Sequence, residues 1–423
     1  MRRVRRRRAI RVMLVVVVAA SEAGGVTLEE LAARMERLER KVAAYEARYG
    51  PLDEGATAGK ARSVGRSAKA AMPGETLPAG GDAASIDAAY GVGGAAGGGG
   101  SGWWERTTLG GYGEMHLQLG DREEIDFHRW VLFLNHKFNE RVRLRSELEL
   151  EHSIAGEGKG GEIELEQAFV EFDLGRGLWA KAGLFLLPVG MLNEVHEPNT
   201  FFGTERNPVE SEIIPTTWWE GGVGLNQVLE NGLHWDLALH SALDVPTSGD
   251  NAYRIRSGRR KVSKAPASDA AVTGRLRYTG VPGLDLSVFG QYQNDVTQTA
   301  GSETNRALFG GAAADFRRGG FGLRGLVGYW DIGGREPAAL GADQQYGCFL
   351  EPSYTWLIGE EARVGLFARY NFYRYSMDDV DQFDVGANFW PIDNVVFKAD
   401  YSHIDPEGEA AENVFNLGVG YSF

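Results

Sequence analysis

Few residues of this chain are arranged as catalysts usually are. His196-Glu197-Pro198 is half of the zinc-protease pattern, in which two histidines four apart on a helix hold the metal and the glutamate acts as base. Thr200 stands where the second histidine belongs, and Pro198 breaks the helix that the pattern needs. His240-Ser241 sets a base beside a hydroxyl, and His136 is a further candidate, but neither has an orienting residue at a recognisable spacing. G-x-S-x-G, phosphate-loop and C-x-x-C patterns are absent, and the single cysteine, Cys348, reads as a small apolar residue. The sequence therefore predicts no catalytic residue, no metal site, no cofactor and no enzyme.

The chemistry it does carry is charge in alternation. In Arg141–His152, RVRLRSELELEH, Val142, Leu144, Leu148 and Leu150 alternate with Arg141, Arg143, Arg145, Glu147, Glu149 and Glu151. Successive strand side chains point to opposite faces, so one face is greasy and the other fully charged; a helix would scatter both sets. If the charged face lines a lumen, Arg129, Arg141, Arg143, Arg145, Glu147, Glu149, Lys181, Arg275, Arg277 and Arg369 are pore-lining residues. The stretch 192–217 supplies the opposing edge through Glu194, Glu197, Glu205, Arg206 and Glu210, stiffened by prolines. An acidic loop facing the arginines of 141–145 would set a transverse field that orients charged or dipolar solutes. A second basic cluster, from Arg254 to Lys264, would draw anions to the mouth or bind lipopolysaccharide phosphates or a neighbouring subunit.

The elements that position these residues read as strands. The alternation recurs in segments of about ten residues with aromatics near their ends, the pattern of a transmembrane β-barrel, apolar to lipid and polar to the lumen. About sixteen strands fit between Thr107–Leu119 and Asn413–Phe423. In the fourth, Ile163 and Leu165 hand over to Ala168, Val170, Phe172 and Leu174, a slip near Glu166-Gln167 that predicts a β-bulge. Short links such as Asn139-Glu140 and 175–177 alternate with longer ones beginning at Gly120, Ser153, Leu192, Asp244, Val296, Ile332, Ser376 and Asp405. That parity suits a barrel with both termini in the periplasm, and a soluble sandwich has no reason to keep it.

Before the barrel, residues 1–23 read as a signal peptide, with seven arginines ahead of the apolar stretch Val12–Ala20 and cleavage after Ala20 or Ala23. Removing those seven positive charges takes the net charge from −14 to about −21 and leaves no basic arm for nucleic acid. Residues 26–49 carry a capping box, Thr27-x-x-Glu30, then Leu28, Leu31, Met35, Leu38, Val42, Tyr45 and Tyr49 at spacings of three and four, which predicts a periplasmic coiled coil. Residues 50–102, rich in Gly, Ala and Pro, read as a flexible linker that leaves this helix no local surface, so self-association is expected. The barrel then occupies 103–423.

The ending Gly420-Tyr421-Ser422-Phe423 looks like the C-terminal signal of bacterial outer-membrane proteins. With the signal peptide, coiled coil and strand count, the chain resembles trimeric porins, most nearly the phosphate-selective porin O/P-like family, over roughly Thr107–Phe423, with the nearest local match from Leu178 to Gly224. The resemblance implies a bacterial outer-membrane homotrimer in contact with lipid and lipopolysaccharide, its third long loop folded inward. Passive diffusion of small anionic or zwitterionic solutes would be its work. The family's ladder of pore cations does not align here residue by residue, so phosphate itself is not implied. The competing expectation is a plugged outer-membrane barrel serving as an envelope tether or barrel enzyme.

Overall fold

A computed structural model describes residues 103–298, 300–375 and 379–423. The expected signal peptide, coiled coil and linker (1–102) lie outside the described residues. Within them the chain forms sixteen antiparallel strands: β1 (Thr107–Gly120), β2 (Glu124–Lys137), β3 (Val142–Glu151), β4 (Ile163–Gly175), β5 (Leu178–Leu186), β6 (Trp219–Val228), β7 (Leu233–Ser241) and β8 (Ala270–Val281) in the first half. The second half holds β9 (Leu284–Gln293), β10 (Ala307–Arg318), β11 (Phe321–Ile332), β12 (Gln344–Ile358), β13 (Ala362–Arg374), β14 (Asp379–Ile392), β15 (Val395–Pro406) and β16 (Glu412–Ser422). Each strand pairs with its sequence neighbours and β1 pairs with β16, so the sheet closes and no edge is left unpaired.

Closure matters because the outside is apolar. Leu109, Ile125, Ile163, Leu237, Leu239 and Leu276 are all exposed, on strands whose other faces are polar. Exposed aromatics form two belts: Tyr278, Phe321, Tyr354 and Trp356 toward the short turns, and Tyr292 and Tyr329 toward the long connections. Such a belted wall suits lipid, and a closed barrel can span it because every backbone polar group is satisfied within the sheet. No described helix is long and apolar enough to cross a membrane.

The bulge falls where the slip in alternation predicts it. Glu147 lies opposite Gln167 and Leu148 opposite Leu165, so Glu166 is the extra residue, and Glu166 and Gln167 both turn inward. The parity of the connections is weaker than expected. The connections at 152–162, 187–218, 242–269, 294–306 and 333–343 are long, but those at 121–123, 375–378 and 407–411, also expected to be long, are short.

Candidate functional site

The site is the barrel interior, and the connection after β5 builds most of it. Residues 187–218 fold inward rather than standing in solvent: Leu187, Asn193, Thr204, Val209, Glu210, Ile213, Ile214 and Trp218 are all buried. The wall holds this loop by its backbone. Arg129 Nη2 donates to the His196 carbonyl at 3.0 Å, both terminal nitrogens of Arg324 donate to Thr200 O at 3.1 Å, and Arg369 donates to Phe202 O at 3.2 Å and Glu205 O at 3.4 Å. Asn388 Nδ2 donates to Phe201 O at 3.1 Å, and Asp400 accepts from the Thr204 amide at 2.7 Å. Trp330 Nε1 donates to Ile213 O at 2.9 Å.

The loop divides the interior into two chemically different halves. Its apolar residues (Val209, Ile213, Ile214 and Trp218) pack with Phe289 of β9, Phe309 of β10, Trp330 of β11 and Phe349 of β12 in one hydrophobic core; Phe309 stacks on Trp330 at 4.7 Å. Its polar residues lie against the charged wall of β1–β4 and β13–β16. Between loop and wall a cavity of only about 10 Å³ remains, room for about one water, lined by groups including Met191, Phe201, Glu210, Arg324, Glu351 and Arg369.

Six of the cations expected to line the pore meet carboxylates of the wall or loop. Arg143 and Arg145 both reach Glu171 Oε2, at 3.0 and 3.2 Å, and the Arg143 guanidinium lies over the Trp179 ring at 3.8 Å. Arg129 Nε donates to Glu114 at 2.5 Å, and Arg277 Nε reaches both oxygens of Asp285, at 2.9 and 3.0 Å. Arg275 joins Asp236 (2.9 Å) to Glu194 of the loop (2.5 Å), and Arg369 joins Asp384 (3.0 Å) to Glu351 (3.1 Å). Lys181 lies over the Phe185 ring at 4.4 Å. Arg141 sits in the turn before β3 and is exposed, so it is not part of the lumen wall.

The loop acids also differ in role from one another. Glu210 is an internal clamp: Oε1 accepts from the amides of Met191 (2.5 Å) and Leu192 (2.8 Å), and Oε2 accepts from Asn207 Nδ2 (2.9 Å). Gly190 beside it has φ +69°, and a Cβ there would lie 2.4 Å from that carboxylate, so only glycine fits. Glu205 lies 2.9 Å from His116 Nδ1, and Arg206 donates to Thr217 Oγ1 at 3.0 Å. Glu197 is buried, and burial pushes its carboxyl up to about 7. Burial drives the His196 imidazole well below its ordinary range, with help from the nearby Arg206 and Arg129 charges. Beside Arg143 and Arg145 on β3 and β4 stands an acidic stretch of wall, Glu147, Glu149, Glu164 and Glu166, all buried.

The basic cluster of the fourth long connection (242–269) is likewise engaged. Arg254 and Arg256 reach Glu212, Arg259 donates to Pro215 O (3.0 Å) and Thr217 O (2.6 Å), and Lys261 reaches Glu162 and Glu164. It therefore clamps the third loop to β4. The candidate His240-Ser241 pair is engaged with other groups: His240 Nε2 lies 2.7 Å from Thr273 Oγ1 and its Nδ1 2.6 Å from Ser241 O, while the Ser241 hydroxyl donates to Glu220. His136 pairs with Thr107.

No family model matches this sequence. An uncharacterized protein of Aquifex aeolicus (strain VF5) is 24% identical over 356 residues, spanning 75% of this chain and 80% of that protein. Among solved structures, the anion-selective porin from Comamonas acidovorans is similar with a TM-score of 0.51 at 11% identity, over 75% of this chain and 99% of that one. The outer-membrane channel DcaP of Acinetobacter baumannii gives 0.50 at 11% (75% and 97%), and the outer-membrane-expressed OmpT of Vibrio cholerae gives 0.50 at 10% (75% and 97%). This chain has the fold of those barrels. At such identities the likeness extends to fold and not to selectivity.

The residues missed by sequence reasoning are the ones that seat the loop: Asn193, Asn388, Trp330 and Glu351. Asn193 donates to Leu187 O (2.8 Å) and Trp218 O (2.9 Å) and accepts from the Trp218 amide (2.7 Å), closing the loop's neck. Asn388 had a visible signal, a lone amide in the otherwise apolar run Ala387–Trp390.

Proposed function

We propose that this chain is an outer-membrane porin that passes small hydrophilic solutes passively, narrowed by its inward third loop. The supporting observation is the two-sided interior. The loop seals one half with an apolar core and presents polar groups to a charged wall in the other, which makes the charged half the path for water and solute. On β3 and β4 five buried carboxylates (Glu147, Glu149, Glu164, Glu166, Glu171) accompany two buried guanidiniums (Arg143, Arg145), an excess that favours cationic and zwitterionic solutes over anionic ones. Because Arg129, Arg143, Arg145, Arg275, Arg277 and Arg369 each meet a carboxylate, these arginines lend no support to phosphate selectivity. A homotrimer bearing a periplasmic coiled coil over 26–49 and contacting lipopolysaccharide completes this reading.

The test is single-channel recording of the purified protein in planar bilayers under a salt gradient. Triplet conductance steps with a cation-directed reversal potential are expected. A second reading, a barrel plugged at rest and serving as a tether, is favoured by the near-complete burial of inward side chains such as Glu147 (1%), Glu166 (1%) and Arg145 (3%). Folded, inserted protein that never conducts would establish it in place of the first.

A further inference from the structure

Three buried polar atoms converge where the bulge of β4 meets the third loop. His196 Nε2 lies 3.4 Å from Glu166 Oε2 and 3.6 Å from Glu147 Oε1, and the three donor atoms lie within 4.8 Å of one another. The residues are only 3%, 1% and 1% exposed, and among the described residues none of the three atoms has a hydrogen-bond partner. The separations leave the two carboxylates and the imidazole lone pair without direct hydrogen bonds to one another, and a dry pocket holding all three calls for a shared proton or a cation between them. They match a coordination polyhedron. With bonds of about 2.0–2.2 Å, neighbouring ligands of a tetrahedral ion lie roughly 3.3–3.6 Å apart.

The surroundings orient each ligand. His196 Nδ1 lies 3.3 Å from the Asn193 carbonyl, an arrangement that puts the proton on Nδ1 and the lone pair on Nε2. Gln167 Nε2 donates to Glu147 Oε2 at 2.7 Å, leaving Oε1 turned toward the histidine. Glu166, the extra residue of the bulge, keeps the inward phase of Glu164, and the bulge turns Gln167 inward directly beside it. Two other groupings of potential ligands lack this character. In His116–His128–Glu205 the His116 nitrogens are taken by Glu205 (2.9 Å) and Glu114 (3.3 Å), and in Glu149–Glu151–Glu164 the last acid is held by Lys261.

We infer that Glu147, Glu166 and His196 bind one divalent transition-metal ion, of the zinc or manganese class, with a fourth position left for water. One imidazole and two carboxylates suit those ions better than soft, thiolate-seeking ones. The ion ties the third loop to β3 and β4, and the inference holds whether or not the barrel conducts.

The test uses the full chain folded in detergent, stripped with chelator and dialysed against Zn²⁺ or Co²⁺ at neutral pH. One ion per chain and visible Co²⁺ d–d absorption are expected. Glu166→Gln and His196→Ala, checked for folding by heat-modifiable gel mobility, should each weaken binding at least tenfold. Gln167→Leu keeps all three ligands and removes an orienting bond, and should weaken it about tenfold. Absence of d–d bands in the unaltered protein at saturating Co²⁺ overturns the inference without any variant. So does binding that survives both ligand substitutions, or binding lost instead in His116→Ala.

Discussion

Replacing Arg369 by alanine isolates what holds the third loop. The guanidinium is 3% exposed and links Asp384, Glu351 and the carbonyls of Phe202 and Glu205. Asp384 would keep neutral donors from Asn371 (2.9 Å) and Gln382 (2.8 Å), but Glu351 would be left buried without its salt bridge, with only the more distant charge of Arg324 opposite it on β11. Removing one partner of a buried pair costs about 3–5 kcal/mol. The β13–β14 ladder, continuous from Arg363 opposite Trp390 to Arg374 opposite Asp379, keeps the barrel closed, so the cost falls on the loop. About 3 kcal/mol shifts the balance of docked and released loop more than a hundredfold. Limited proteolysis within 187–218 should become rapid, and single-channel conductance larger and noisier. Adding Glu351→Gln removes the stranded charge and should recover part of the loss. Arg122→Ala is the control: its pair with Glu412 at 2.9 Å is about half exposed on both sides and should contribute no more than about 1 kcal/mol. If Arg369→Ala matches Arg122→Ala in both assays, the ion-pair lattice does not seat the loop.

Two further outcomes follow from the same geometry. Glu197 titrates near 7 in the folded loop because burial disfavours its charge, above its ordinary value near 4.5, so the folded state holds the extra proton. Stability of the docked loop is then greatest below about pH 4.5 and falls as pH rises toward about 7, by up to roughly 3 kcal/mol; proteolysis rates across that window should show it, and Glu197→Gln should flatten the curve. On the lipid side, Leu237→Arg puts a charge on a 49% exposed outward position of β7 and should cost about 2–4 kcal/mol if it lies near the bilayer midplane, whereas it should be nearly neutral for a barrel standing in water. Equilibrium unfolding in lipid vesicles measures the difference.

The wall was legible in the sequence because a period of two survives translation into structure unchanged. The strand at Arg141–His152 appears as Val142–Glu151, and even the irregularity at Glu166-Gln167 was visible as a lost beat in the alternation. The interior was less legible. On β9 to β12 both faces carry apolar residues, as with Phe289 inward beside Val288 outward, so polarity cannot report which side a loop will cover. Nor does a list of inward charges reveal its pairing: Arg275 and Glu194 are separated by 81 positions and meet only because the loop crosses the lumen. The metal cluster escaped notice because it joins a strand residue, a bulge residue and a loop histidine, with no spacing in sequence to announce it.

The seam where β1 meets β16 has a kinetic corollary. Tyr112 faces Ser422, and Gly111 and Phe423 exchange backbone hydrogen bonds at 3.0 and 2.9 Å, so residues roughly three hundred apart must meet before the ring exists. Every other strand pairing is between chain neighbours and can form as a hairpin with little loop-closure entropy to overcome. Assembly should therefore have one late, slow event shared by the whole molecule, and hydrogen exchange along Tyr112–Gly120 should be protected last during refolding although the strand comes first in sequence.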